Sequence, residues 1–461
     1  MDPRLTWVWL AQACTAGSRA ALNLLYHFGT PEKIWKAERR ELASVLQSSE
    51  LSLLTRLAHK DTSEAAEIIR RCDASGIRIL TPMDAQYPRS LYQLRDAPCV
   101  LYVRGVLPDF EQNCCCAVVG TRKMSDYGKQ MAYDIGRGLG AGGAVLVSGL
   151  ALGVDGMAMA GALSAGGVTI GILGCGVDIT YPQEHRELMK LVLEKGAIVS
   201  EYPPGTRPIG SHFPVRNRII SGLCHAVVVV EGDLKSGSLI TARHALYQGR
   251  DLYAVPGQVG DPGAAGPNLL IKTGARAISC ASDVLKNYEF LYPHTIRVSA
   301  ADAVLETMTP SEDAANVAAQ MHISAAGDSK YYGSGNYGGK RKSASSAVSG
   351  YPKKGKTEKK ITPKAMLKRF DEHKAEPERK MISASPIHFD MLDDNAKLVY
   401  AAMTPNVPTV LDDIHAASLT TSEILTALTL LELCGAVECT AGSCYLKRDG
   451  DDPILSDPDK Q

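Results

Sequence analysis

The sequence predicts an α/β protein built on a parallel sheet, and three observations predict it. From Cys116 to about Ile278, short apolar runs recur, each followed by a glycine-containing turn and a helical repeat. The runs are continuous rather than alternating, which marks strands buried on both faces. Small and hydroxyl residues gather at the strand ends, where such sheets bind ligands. The runs are Cys116–Val119, Ala144–Val147, Val168–Leu173, Ala197–Ser200, Ala226–Val230 and Asp251–Val255. After the first, Tyr127, Met131, Ile135 and Leu139 repeat every four residues, one face of a crossover helix. Together they describe an extended Rossmann-like core over residues 80–290.

Two smaller modules flank this core. In residues 1–75, Leu5, Val8 and Trp9, then Ala20, Ala21, Leu24, Leu25 and Phe28, follow helical spacing, and Pro31 opens another helix. The turn at Gly17 suits a helix-hairpin-helix (SAM-like) module, with a structural role favoured because only one glycine stands there. Residues 386–448 read as three helices and a two-stranded hairpin, a winged-helix pattern. Its third helix, Thr420–Leu433, contains no Lys or Arg, so docking to protein or dimerisation is expected rather than reading of DNA. Residues 291–385 read as a linker and 449–461 as a polar tail.

Charge is unevenly placed. The 461 residues carry 50 basic and 50 acidic groups. Between Lys330 and Lys380, however, fifteen Lys or Arg face five Asp or Glu. That basic stretch reads as a solvated tether whose tyrosines and lysines suit nucleic acid. The twelve cysteines contain no CxxC pair and no metal-ligand spacing, so reduced thiols and no metal are expected. The apolar N-terminal run from Leu5 to Ala11 is too short for a signal peptide or a membrane span, and a cytoplasmic location is expected.

The most informative stretch lies between Phe213 and Ala242. Phe213-Pro214 and Arg216-Asn217-Arg218 open a short helix, and Lys235-Ser236-Gly237-Ser238 opens the next. Helix starts offer free amides and a field favourable to anions. Val215, Ile219, Ile220 and Leu223 share an apolar arc that contains Arg216, with Asn217 and Arg218 outside it. An arginine turned toward packed apolar surface needs an anion. An external phosphate is the expectation for Arg216, and an internal pair with Glu201 or Glu231 is the competing one. Arg122, at the end of the first core strand, reaches the same rim. No GxGxxG and no Walker A sequence is present, so NAD binding and P-loop hydrolysis are not expected, and no cofactor is implied.

The motifs Val119-Gly120-Thr121-Arg122, Ser148-Gly149-Leu150-Ala151-Leu152-Gly153-Val154-Asp155, Tyr181-Pro182 and Ser200-Glu201-Tyr202-Pro203 follow one another in order. Phe213-Pro214-Val215-Arg216-Asn217-Arg218, Ser236-Gly237-Ser238-Leu239-Ile240-Thr241-Ala242, Val255-Pro256-Gly257 and Asn268-Leu269-Leu270-Ile271-Lys272-Thr273-Gly274-Ala275 complete the series. With these residues the chain resembles the DNA-processing protein A family (DprA, also called Smf). Three positions depart from the family pattern: Met159 stands in place of histidine, Cys224 in place of serine, and Val215 where many relatives are basic.

The resemblance implies a homodimer that binds single-stranded DNA, protects it during natural transformation, helps load the RecA recombinase and catalyses no reaction. On this sequence the DNA-binding residues would be Arg122, Phe213, Arg216, Asn217, Arg218, Lys235, Ser236, Gly237 and Ser238, and the dimer interface would include Leu270 and Ile271. The alternative is a nucleotide-binding protein or a LOG-like nucleotide phosphoribohydrolase on a related Rossmann-like fold. Its Pro-Gly-Gly signature is lost here at Gln258, leaving Asp155 and Glu201 as its candidate acids.

Overall fold

The structure is a computed structural model that describes residues 2–306, 394–405, 409–410, 414, 419, 421–433, 436–440 and 444–447. The basic stretch 330–380 and the tail lie outside the described residues. A nine-stranded sheet forms the centre, in the order β1-β2-β6-β5-β4-β3-β7-β8-β9. Its strands are β1 Arg78–Leu80, β2 Leu101–Gly105, β3 Cys115–Val119, β4 Val145–Ser148, β5 Thr169–Leu173, β6 Ala197–Ser200, β7 Ala226–Val229, β8 Asp251–Ala254 and β9 Arg276–Ala277. From β6 to β9 every neighbouring pair is parallel, whereas β1 and β2 join antiparallel at one edge. All six expected strands are present to within a residue or so. Strands β1, β2 and β9 were not among them: β1 and β9 are only three and two residues long, and β2 precedes the stretch in which strands and helices alternate.

Six helices precede the sheet: α1 Leu5–Cys14, α2 Ala20–Phe28, α3 Pro31–Lys36, α4 Arg39–Val45, α5 Leu54–Ala58 and α6 Ser63–Ala74. Thr30 caps α3 by accepting from the Lys33 amide, with Pro31 at the first position, where its missing N–H costs nothing. In the core run α7 Asp126–Ala141, α8 Val154–Ser164, α9 Arg186–Lys195, α10 His212–Gly222, α11 Ser238–Tyr247 and α12 Ala265–Lys272. They are followed by α13 Ser282–Leu285 and α14 Val298–Glu306.

The turn at Gly17 packs on the core. A Cβ built there would lie 2.7 Å from Cγ1 of Val215, and the Gly17 amide bonds the Glu201 carboxylate. Val215 is therefore a packing contact between the helical module and α10. Met159 and Cys224 are likewise fully buried among apolar side chains.

The expected linker begins too early. The Tyr292 hydroxyl lies 2.7 Å from Nε2 of His225, and Ala301 of α14 is buried against α7. Residues 291–306 therefore belong to the core.

The C-terminal segment provides α15 Asp394–Ala402 and α16 Thr421–Leu433 with a small sheet ordered β10-β12-β11. Those strands are β10 Thr409–Val410, β11 Val437–Thr440 and β12 Cys444–Lys447. Most of the expected middle helix lies outside the described residues. Helix α16 packs on α11, where Arg243 donates to the Tyr445 hydroxyl at 3.1 Å and sits 3.6 Å from Glu432. The helix without cations thus docks on this chain's own core.

Candidate functional site

From β3 the chain steps outward through β4, β5 and β6, then returns to place β7 on the other side of β3. In open parallel sheets the crevice at such a reversal receives ligands. Here it is already filled. The Glu231 carboxylate accepts from the Ser125 amide at 3.0 Å and from its hydroxyl at 3.1 Å, at the start of α7. A Cβ at Gly128 would lie 1.6 Å from Glu231 Oε2, so a larger residue there would displace the carboxylate. A carboxylate thus occupies the helix start where a dinucleotide fold receives its pyrophosphate.

The open site lies one step along the same rim, over the ends of β3, β4 and β5. A recess of about 30 Å³ is lined by Arg122, Gly149, Leu150, Gly174, Cys175, Tyr181, Phe213 and Arg216, among others. That space admits phosphate oxygens, and the recess opens to solvent.

Arg216 forms the floor. Its Nη1 donates to the carbonyl of Gly149 at 2.8 Å and to that of Ile172, while Nε reaches Asn217 Oδ1 at 3.2 Å. Among the described residues no carboxylate lies within ion-pair distance of it, and burial pushes its pKa down to about 10. The Asp155 charge lifts it only in part, and burial pushes the Asp155 carboxyl itself up. Asp155 Oδ2 is occupied by the Gly149 amide at 2.9 Å, which holds the loop after β4. Carbonyl dipoles hold this cation directly and Asp155 acts on it only from a distance, so its charge is available to an incoming anion.

Phe213 and Arg122 complete the cluster. Cζ of Arg122 lies 5.3 Å from the Phe213 ring centroid, and Cζ of Arg216 lies 5.8 Å away. Arg122 is exposed, in the turn after β3. Asn217 links this recess to the start of α11, where its Nδ2 donates to the Gly237 carbonyl at 3.3 Å. There the Ser236 and Ser238 hydroxyls bond each other at 2.8 Å, and exposed Lys235 precedes them. The structure therefore gathers Arg122, Phe213 and Arg216 tightly and joins the 235–238 loop through Asn217.

Two expected residues stand elsewhere. Arg218 is 2% exposed, with Nη1 2.9 Å from Glu201 Oε2 and Nε 3.1 Å from Asp96 Oδ2. Burial opposes its charge, yet Glu201 and Asp96 outweigh it and raise the pKa, so the Arg218 guanidinium is engaged in internal ion pairs away from the recess. The internal pair with Glu201 does exist, but Arg218 makes it, because the segment before β2 covers the face of α10 that the apolar arc left open. Leu270 is fully buried and cannot face a second subunit, and Ile271 is only partly covered.

Three contributors were not assigned a role from sequence. Leu150 adopts a left-handed φ of 54° while fully buried, and its carbonyl lies 3.0 Å from Nδ1 of His185. Strain in a buried non-glycine residue persists only where surrounding contacts enforce it, here in a loop that lines the recess. Tyr181 stacks on Phe213 with centroids 5.4 Å apart and planes at 29°. Its motif with Pro182 was visible in the sequence, but neither spacing nor periodicity places it beside Phe213.

A parallel sheet with a buried guanidinium floor, a second exposed arginine and aromatic rings at its carboxyl rim defines an α/β protein equipped for phosphate and base. Comparison with known proteins gives the family. The model of DNA recombination-mediator protein A matches residues 78–289. The DNA processing protein DprA of Bacillus subtilis is 44% identical over 211 residues, covering 46% of this chain and 71% of that protein. Protein Smf of Escherichia coli K12 is 44% identical over 213 residues, 46% of this chain and 57% of that protein. The crystal structure of DprA from Streptococcus pneumoniae superposes with a TM-score of 0.53 at 32% identity, covering 60% of this chain and 95% of that one. This chain belongs to the DNA recombination-mediator protein A family.

Proposed function

We propose that the chain binds single-stranded DNA at the rim recess and acts there as a recombination mediator. The observation that carries this reading is the Arg216 guanidinium, buried without a carboxylate partner among the described residues and adjoining Phe213 and exposed Arg122. The recess admits phosphate oxygens, and the aromatic rings that line it offer a face to a base. That division suits a single strand, whose bases are free to leave the stack; in a duplex they are not. Lys235 and the Ser236-Gly237-Ser238 turn support a neighbouring phosphate.

In this reading the bound strand is presented to the RecA recombinase by a homodimer, during natural transformation or recombination, in the cytoplasm. No helix among the described residues is long and apolar enough to cross a membrane. The nucleotide hydrolase alternative draws no support from its candidate acids, since Asp155 is held by the Gly149 amide and Glu201 by Arg218. A fluorescence-anisotropy titration with single- and double-stranded oligonucleotides at several salt concentrations tests the reading. Tighter binding of the single strand, with a salt slope set by a few phosphates, is expected; equal or stronger duplex binding would overturn it.

A further inference from the structure

Arg122 stands in the turn from Gly120 to Ser125, and both ends of that turn are tied to one residue, Glu231. At its start the Thr121 amide donates to the Glu231 carbonyl at 2.7 Å. At its end the Ser125 amide and hydroxyl donate to the Glu231 carboxylate at 3.0 and 3.1 Å. That hydroxyl also accepts from the Gly128 amide at 3.0 Å, so Ser125 joins the carboxylate to the first turn of α7. On the opposite side, a Cβ built at Gly153 would lie 2.8 Å from Cα of Arg122, so the loop after β4 closes against the same turn. The carboxylate itself is wedged between two glycines, Gly128 and Gly263, where added Cβ atoms would strike its oxygens.

By charge alone, a buried carboxylate at this rim works against an anionic ligand. By geometry it does the reverse, because its donors belong to the turn that carries an exposed cation. We propose that Glu231 is a positioning residue for strand binding: its carboxylate fixes the end of the turn as its carbonyl fixes the start, and so holds Arg122 at the recess beside Phe213. This rests on the reading of the recess as the phosphate site for a single strand. A cation on a turn held at both ends loses less freedom when it meets a phosphate, so the gain lies in preorganisation rather than in a new contact. The two effects of Glu231 have opposite signs, and that separates them.

The test is an anisotropy titration of the full chain with oligo-thymidine. Glu231→Ala releases Ser125 and should weaken binding roughly three- to tenfold, and by no more than Arg122→Ala does. Glu231→Gln keeps an acceptor for the Ser125 amide and should bind at least as tightly as the parent. Gly128→Ala drives the carboxylate off Ser125 while keeping its charge. It should weaken binding as Glu231→Ala does, and it carries the test if Glu231→Ala fails to fold. In the Arg122→Ala background neither change should weaken binding further, whereas a general loss of structure would lower it in both backgrounds. Unchanged or tighter binding by Glu231→Ala and Gly128→Ala, or an equal loss with and without Arg122, overturns the positioning role. If Arg122→Ala itself binds normally, the recess reading fails with it; if Arg122→Ala binds weakly while the other two bind as the parent does, only the role of Glu231 is wrong.

Discussion

Arg216 donates through Nη1 to the carbonyl of Gly149 at 2.8 Å, so a buried guanidinium is held at the strand rim by backbone dipoles. Removing the recess cations should cost DNA affinity and little stability. Arg122→Ala with Arg216→Met should weaken single-strand binding by on the order of a hundredfold, about 1–3 kcal/mol for each charge-assisted contact. The slope of log affinity against log salt should shrink by roughly 0.7 per lost phosphate contact. Thermal unfolding should stay near the parent or rise, because an apolar isostere removes a desolvation penalty. Anisotropy and calorimetry on the same samples check both halves.

Gly149→Ala probes the same relationship from the other side. A Cβ there would lie 2.5 Å from Nη1 of Arg216, and the end of a long side chain is the part able to give way. Displacing the guanidinium should lower affinity about tenfold, roughly 1.4 kcal/mol, with the fold intact. A variant that melts like the parent and binds like it would show that Arg216's position is unimportant.

Arg218→Ala should do the opposite of the Arg216 change. It leaves Glu201 buried without its partner and should destabilise the fold by about 3–5 kcal/mol, measured by urea denaturation. Binding of the remaining folded protein should be unchanged, since Arg218 does not reach the recess.

The depressed pKa of Arg216, about 10, sets a pH window. Its protonated form holds the phosphate, so affinity should be level from pH 7 to 9 and fall as pH rises through about 10. For a base whose folded pKa lies below its unfolded value, the charged form disfavours folding, so this group's contribution to stability improves over the same rise. Titrations with oligo-adenosine, whose base does not ionise there, should show the loss, and Arg216→Met should abolish that pH dependence.

Leu270 offers a test of assembly. Because it is fully buried, Leu270→Asp should unfold the protein rather than divide a dimer. Ile271→Asp, at a partly covered position, is the informative change, and sedimentation should show it lowering the dimer fraction if this segment forms the interface.

The sequence by itself determined the parallel core, because strands buried on both faces must be continuously apolar and their crossover helices must repeat at helical spacing. It also determined that Phe213, Arg216 and the 235–238 turn lie at carboxyl ends of strands, since chain direction in a parallel sheet leaves no other place for them. Which arginine is free was decided only by the tertiary structure. Arg216 and Arg218 lie two residues apart on one short helix, and local pattern placed only Arg216 on the apolar arc. Asp96 and Glu201, each distant in sequence, claim Arg218, while carbonyls of the loop after β4 and of β5 hold Arg216. Charge pairing and ring stacking depend on which segments meet across the fold, and no local spacing encodes that meeting; for the same reason Tyr181 found its place beside Phe213 only once the chain was folded.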